Sequence, residues 1–209
     1  QRHGIPLIFD EVVTGFRFAY GGAQEYYGVV PDLAAYGKII GGGFPLAAVC
    51  GRREIMRAFD PRLEGTPDFV AQIGTLNGNP IAAVAGLATL AELRAPGVYQ
   101  RLHRTGRALR DGLSEIVRKS GLAAQVIGET TVFDVVFTDR PVIDYRATLT
   151  ANGAHLGTFN AECLRRGVVK GTSKIYVTLA HSDDDVARTL AVFAEAIEAV
   201  SRSGDAARA

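Results

Sequence analysis

Ile5-Pro6-Leu7-Ile8-Phe9-Asp10-Glu11 is a continuous apolar run closed by two acids, the pattern of a strand buried on both faces of a parallel sheet. A parallel neighbour needs a crossover of about a dozen residues. Only four residues precede the run, so the earlier strands of the sheet are expected outside this chain. Downstream, residues 32–50 alternate apolar and small side chains around Gly37, Gly41, Gly42 and Gly43, which predicts short strands joined by a tight turn. Residues 53–73 read as a helix end and an exposed loop. Strands and helices in this order indicate an α/β class.

Further along, Asn79-Pro80 opens a helix, with Asn as cap and Pro in the first turn. Val84, Leu87, Ala88 and Ala91 form its expected buried face, and Pro96-Gly97 ends it. A second helix carries Leu102, Leu109, Leu113, Ile116 and Val117 on one stripe and stops at Gly121. The domain boundary is placed near residue 97, giving units 1–97 and 98–209. Strands are expected at 124–127, 132–137 and 175–179, and a helix ending at Arg165-Arg166-Gly167. Ser182 with Asp185 forms a capping-box pattern for a closing helix with Val186, Leu190, Phe193, Ile197 and Val200 at helical spacing. A disordered tail is expected from Ser201.

The 209 residues are 47% hydrophobic and carry 23 basic and 22 acidic side chains, a formal charge of +1. That balance leaves no basic face for nucleic acid. No apolar run is long enough to cross a bilayer as a helix, and Gln1-Arg2-His3-Gly4 resembles no signal or transit segment, so a cytoplasmic location is expected. Cys50 and Cys163 stand far apart with no companions at ligand spacing and are read as buried thiols, not as a metal site or disulfide.

Three features could carry chemistry. Lys38 is the only lysine in the first 118 residues, and its apolar and small neighbours in Tyr36-Gly37-Lys38-Ile39-Ile40 imply burial. A desolvated lysine can attack a carbonyl to form an imine; a structural lysine paired with Asp10 or Glu11 is the alternative. Asp10, at the carboxyl end of its strand, lies on the ligand-binding edge of an open sheet, or else caps the strand end. Gly74-Thr75-Leu76-Asn77-Gly78-Asn79-Pro80 offers a hydroxyl and free amides before a helix, or is a plain capping loop. The glycines at 41–43 follow the lysine and precede Phe44-Pro45, the reverse of a nucleotide-binding P-loop.

Leu7 to Arg17, then Pro31-Asp32, then Gly37 to Gly43, with 28 residues from Asp10 to Lys38, closely resembles the signature of the class III aminotransferases, above all the glutamate-1-semialdehyde 2,1-aminomutase branch. Gly74-Thr75 with Asn79-Pro80, and Leu179-Ala180-His181-Ser182, resemble later family segments, so the resemblance covers essentially the whole chain. It implies fold type I, with part of the large mixed-sheet domain followed by the C-terminal α+β small domain, and pyridoxal 5'-phosphate as cofactor. It implies that Lys38 holds the cofactor through an imine and moves the substrate proton. Asp10 would partner the pyridine nitrogen, Val12 would pack on the ring, and Thr75 would bind phosphate across a homodimer interface. Glu11 and Arg17 are read as ion-pair candidates, and His181 as a hydrogen-bonded junction residue outside the site.

The resemblance further implies a small-molecule amino donor and an oxo acceptor. The family's N-terminal half, which supplies other cofactor contacts, is expected as a partner segment. Where the aminomutase branch carries glutamate this chain has Ser173, with Lys170 and Lys174 nearby making the local charge less negative. An aminotransferase is therefore expected. The alternatives are amino transfer within one molecule, as in the aminomutases, and a non-catalytic fragment or split subunit contributing a dimer surface.

Overall fold

The computed structural model describes residues 3–206. The chain forms two compact units, Gln1–Tyr99 and Gln100–Ala209. In the first, β1 (Ile8–Glu11), β2 (Leu33–Tyr36) and β3 (Ala48–Gly51) make a three-stranded sheet in the order β1-β2-β3. β1 and β2 run parallel with Asp10 beside Ala35 and Glu11 beside Tyr36, and β3 returns antiparallel to β2. The crossover between the parallel strands contains the short helix α1 (Gly22–Tyr27), and α2 (Arg53–Met56) follows β3.

The expected burial of β1 on both faces is not observed. Ile5, Leu7 and Ile8 are exposed and Phe9 is half-buried. β1 is an edge strand whose only neighbour among the described residues is β2, and the described residues leave Ile5, Leu7 and Ile8 largely uncovered.

α3 (Pro80–Arg94) starts as expected, with Asn79 Oδ1 accepting from the amides of Ile81 and Ala82 at 3.0 and 3.2 Å. Its buried face differs from the expected one. Ala82, Gly86 and Leu93 are buried, whereas Val84 and Leu87 are 67% and 69% exposed. Gly86 explains the choice: a Cβ there would lie 2.8 Å from the Ile40 carbonyl oxygen, so the side without side-chain bulk approaches the chain after β2.

The second unit holds all but the first two residues of α4 (Val98–Ser120), the hairpin β4 (Gln125–Glu129) and β5 (Val132–Val136), α5 (Tyr145–Thr148), α6 (Gly153–Arg165), β6 (Ile175–Tyr176) and α7 (Asp183–Ala206). Its sheet is antiparallel in the order β4-β5-β6. Leu102, Leu109, Leu113 and Val117 of α4 are buried as their spacing predicts, with Phe133, Phe159, Phe193 and Ile197 from the other elements. Phe159 links the layers, its ring 6.2 Å from Phe137 and 5.5 Å from Phe193; each such side chain buried contributes about 1.5–3 kcal/mol. The capping box closes reciprocally: Ser182 N donates to Asp185 Oδ2 at 2.9 Å and Asp185 N to Ser182 Oγ at 3.1 Å. The tail expected to be disordered from Ser201 instead continues α7 to Ala206, and residues 207–209 lie outside the described residues. β6 is shorter than expected, since past Tyr176 a single Val177 amide reaches the Thr131 carbonyl before the chain turns.

Candidate active site

The parallel register sets the site. Asp10 and Val12 lie at the carboxyl end of β1, and Lys38 follows the carboxyl end of β2 as the first residue of a 3-10 turn, Lys38–Gly41. Parallel strands put both ends on the same sheet edge, where open α/β sheets bind ligands. Lys38 has φ +50°, and Phe16 is the other non-glycine residue with positive φ among the described residues. For a lysine this left-handed conformation costs roughly 1–2 kcal/mol, so the surroundings must impose it. They do so from α3: Gly42 (φ +56°) packs so closely that a Cβ would sit 2.3 Å from Thr89 Oγ1, and Gly86 abuts Ile40.

Lys38 itself is exposed, which corrects the burial inferred from its neighbours. Gly37 and Gly41 are buried and Ile39 and Ile40 half-buried, but the lysine departs from the run at the left-handed turn and does not follow them. Among the described residues its ammonium has no hydrogen-bond or ion-pair partner, so the expected alternative of a lysine paired with Asp10 or Glu11 is not observed.

Asp10 is exposed, and its Oδ1 accepts from the Val12 amide at 3.0 Å. That is the strand-end cap weighed from the sequence, and it leaves Oδ2 for a ligand. Val12 lies against Gly37, where a Cβ would come within 3.3 Å of Val12 Cγ1, so the valine and the lysine-bearing turn are in contact. Thr75 lies on a different segment, in an exposed turn before α3 closed by Asn77 N to Gly74 O at 3.0 Å. Its hydroxyl has no hydrogen bond among the described residues. A free primary amine, a carboxylate with a spare oxygen and an uncommitted hydroxyl are the donor set that an aldehyde, a pyridine nitrogen and a phosphate require. The residues present thus fit pyridoxal phosphate.

Several neighbours differ from expectation. Glu11 is fully buried, but its carboxylate is held by the Thr14 hydroxyl and the amides of Ala23 and Gln24 instead of a cation. Arg17 is buried, donates from Nε to the Val13 carbonyl at 2.8 Å and has a further partner besides, so its expected ion pairing is not contradicted. The Lys170 side chain is 4% exposed, 3.2 Å from Asp134, and donates to Asn160 Oδ1 at 2.7 Å. Its charge is neutralised there, while Ser173 and Lys174 are exposed. His181 is half-buried, its Nδ1 accepting from the Thr178 amide, as a junction residue should. Cys163 is buried, which pushes its thiol up to about 11, but Cys50 is exposed because β3 is an edge strand.

Residues 1–197 match the family model for class-III aminotransferases. A glutamate-1-semialdehyde 2,1-aminomutase of Desulfosudis oleivorans is 42% identical over 202 residues, covering 93% of this chain and 46% of that protein. Among solved structures, an omega-transaminase from Sphaerobacter thermophilus superposes with a TM-score of 0.87 at 37% identity, over 95% of this chain and 45% of its own. A beta-phenylalanine aminotransferase from Variovorax paradoxus gives 0.85 at 30%, over 94% and 45%. A transaminase with PLP bound gives 0.83 at 28%, over 97% and 46%. The chain therefore spans a little under half the length of the relatives it matches, and its fold is that of the fold type I pyridoxal-phosphate enzymes. With Asp10 and Lys38 on one sheet edge and the family model matched over 1–197, the chain belongs to the class-III aminotransferases, a pyridoxal-phosphate-dependent family.

Proposed function

We propose that this chain is the cofactor-lysine portion of an aminotransferase that moves an amino group between an amino substrate and a 2-oxo acid or aldehyde. The reading is carried by one observation: Asp10 and an unpartnered Lys38 occupy the ends of adjacent parallel strands. When bound, pyridoxal phosphate supplies an aldehyde that captures amines and a ring that draws electrons from the substrate carbon. Lys38 Nζ would hold its aldehyde carbon and would carry the proton to and from the substrate carbon. Asp10 holds the ring nitrogen in its protonated form, since a nearby anion favours the cation. Val12 supports the ring face, and Thr75 donates its hydroxyl to the phosphate of the second subunit in a homodimer. Residues 1–97 belong to the large domain and 98–209 to the small one, with further cofactor contacts supplied by protein beyond the span matched here.

Borohydride reduction of the cofactor-loaded enzyme followed by peptide mapping tests the assignment. The label is expected on Lys38 and lost in Lys38→Ala; a label on Lys119, Lys170 or Lys174 with none on Lys38 overturns it. The aminomutase reading has its own support in the 42% identity to an aminomutase. Against it, Ser173 stands where that branch has a carboxylate. Side-by-side turnover of glutamate-1-semialdehyde and of β-amino acids with 2-oxo acids separates the two, and efficient conversion of the semialdehyde without transfer to oxo acids favours the mutase.

A further inference from the structure

Between Asp10 and Val12 lies a carboxylate that the proposed chemistry does not use. Glu11 is 0% exposed. Its Oε2 accepts from Thr14 Oγ1 at 2.6 Å and the Ala23 amide at 2.9 Å, and its Oε1 accepts from the Gln24 amide at 2.9 Å. Gly22 (φ +76°) makes room, since a Cβ there would meet both carboxylate oxygens within 2.8 Å. The Gln24 side chain then reaches back to the sheet, its Nε2 donating to Tyr36 Oη at 2.6 Å. Tyr36 ends β2, one residue before Gly37-Lys38, and its phenol is raised first by burial and then by the Glu11 charge. A continuous set of bonds thus runs from the β1 exit through the start of α1 to the β2 exit, beside the parallel ladder itself.

We infer that Glu11 and Gln24 are positioning residues: they clasp the strand end bearing Asp10 and Val12 to the strand end bearing Lys38 and so fix the spacing of the cofactor's two anchors. The inference rests on the proposed roles of Lys38 and Asp10. A buried carboxylate with three donors is costly to disturb, and through Gln24 it adds a side-chain tie between the strand exits to the main-chain pairing of Glu11 with Tyr36. Gln24→Ala cuts only the arm to Tyr36, because Glu11 binds the main-chain amide of residue 24. Glu11→Gln keeps one accepting oxygen but turns an amide NH2 toward at least one main-chain N–H, and so weakens both arms.

The test uses the full-length enzyme, with cofactor titration, the pH midpoint of the cofactor's absorbance, and hydrogen exchange of the cofactor-free protein over segments 10–16 and 36–42. Gln24→Ala is expected to quicken exchange in 36–42, move the absorbance midpoint and weaken cofactor binding about fivefold, the worth of one ordinary hydrogen bond. Glu11→Gln is expected to loosen both segments. If Gln24→Ala leaves segment 36–42, midpoint and affinity at wild-type values while Glu11→Gln loosens only 10–16, Glu11 is a local cap and the clasp is refuted. If borohydride fails to label Lys38 in wild type, the reading of the site fails and the clasp falls with it.

Discussion

Lys170 and Asp134 place an ion pair inside the second unit, with Asn160 and the Phe159 ring around the ammonium. Burial raises the Asp134 carboxyl above its ordinary value although Lys170 opposes the shift. A carboxyl raised in the fold contributes stability that is complete below its unfolded pKa and is lost as pH rises through its folded one. Lys170→Met removes the opposing charge and raises Asp134 further. It should cost about 3–5 kcal/mol near neutrality, with the deficit narrowing as the pH is lowered toward the carboxylate range. Denaturant unfolding across pH measures this; a deficit that does not vary with pH would mean that the loss is one of packing alone. Adding Asp134→Asn should recover most of the stability. At this scale the sequence was uneven to read. That Asp10 and Lys38 follow the ends of neighbouring strands was legible because each closes a short apolar run, whereas the exposure of Lys38 was not. Lys170 was not, since its partner lies 36 residues away across the fold, and the role of Glu11 depends on amides 12 and 13 residues later that converge only once α1 has formed.

Among the elements, α3 holds the lysine-bearing turn in place. Helix propensity favours Gly86→Ala by about 1 kcal/mol, but the added Cβ would sit 2.8 Å from the Ile40 carbonyl oxygen, which is backbone and cannot rotate away. Overpacking costs about 1–3 kcal/mol, so the substitution should lower the melting temperature and weaken cofactor binding together. Thermal unfolding with a spectrophotometric cofactor titration of the full-length enzyme checks both, and a stabilised variant with unchanged affinity would show that the helix does not set the turn. Asn79→Ala, by contrast, should cost about 1 kcal/mol in stability. The beginnings of α3 and α7 were legible because capping is local chemistry. The inward face of α3 was not: it is apolar nearly all round, so periodicity alone could not choose between Val84-Leu87 and Ala82-Gly86, and a glycine decided.

Over the whole chain the apolar core is unequally shared. Of the 20 hydrophobic side chains buried among the described residues, four (Phe18, Ala34, Ala82 and Leu93) belong to Gln1–Tyr99 and the remaining 16 to Gln100–Ala209. A Gln100–Ala209 fragment should therefore melt cooperatively by itself. A Gln1–Tyr99 fragment should bind hydrophobic dyes and self-associate through β1 and the Val84-Leu87 face. Calorimetry and size-exclusion chromatography test this, and a monodisperse first unit with a sharp transition would contradict it. The strands of the first unit were readable in its apolar runs, but their exposure was not, because burial depends on neighbours that a strand's own sequence does not name. One local feature bears on the chain's history. Lys38 occupies a backbone conformation suited to glycine, and relief of about 1–2 kcal/mol exceeds the roughly 0.5–1 kcal/mol entropic penalty of glycine. Under selection for stability alone, position 38 would drift to glycine. A descendant with glycine at 38 and an intact Asp10-to-Gly43 frame would then be a retired enzyme, more robust than its ancestor and kept for its surface.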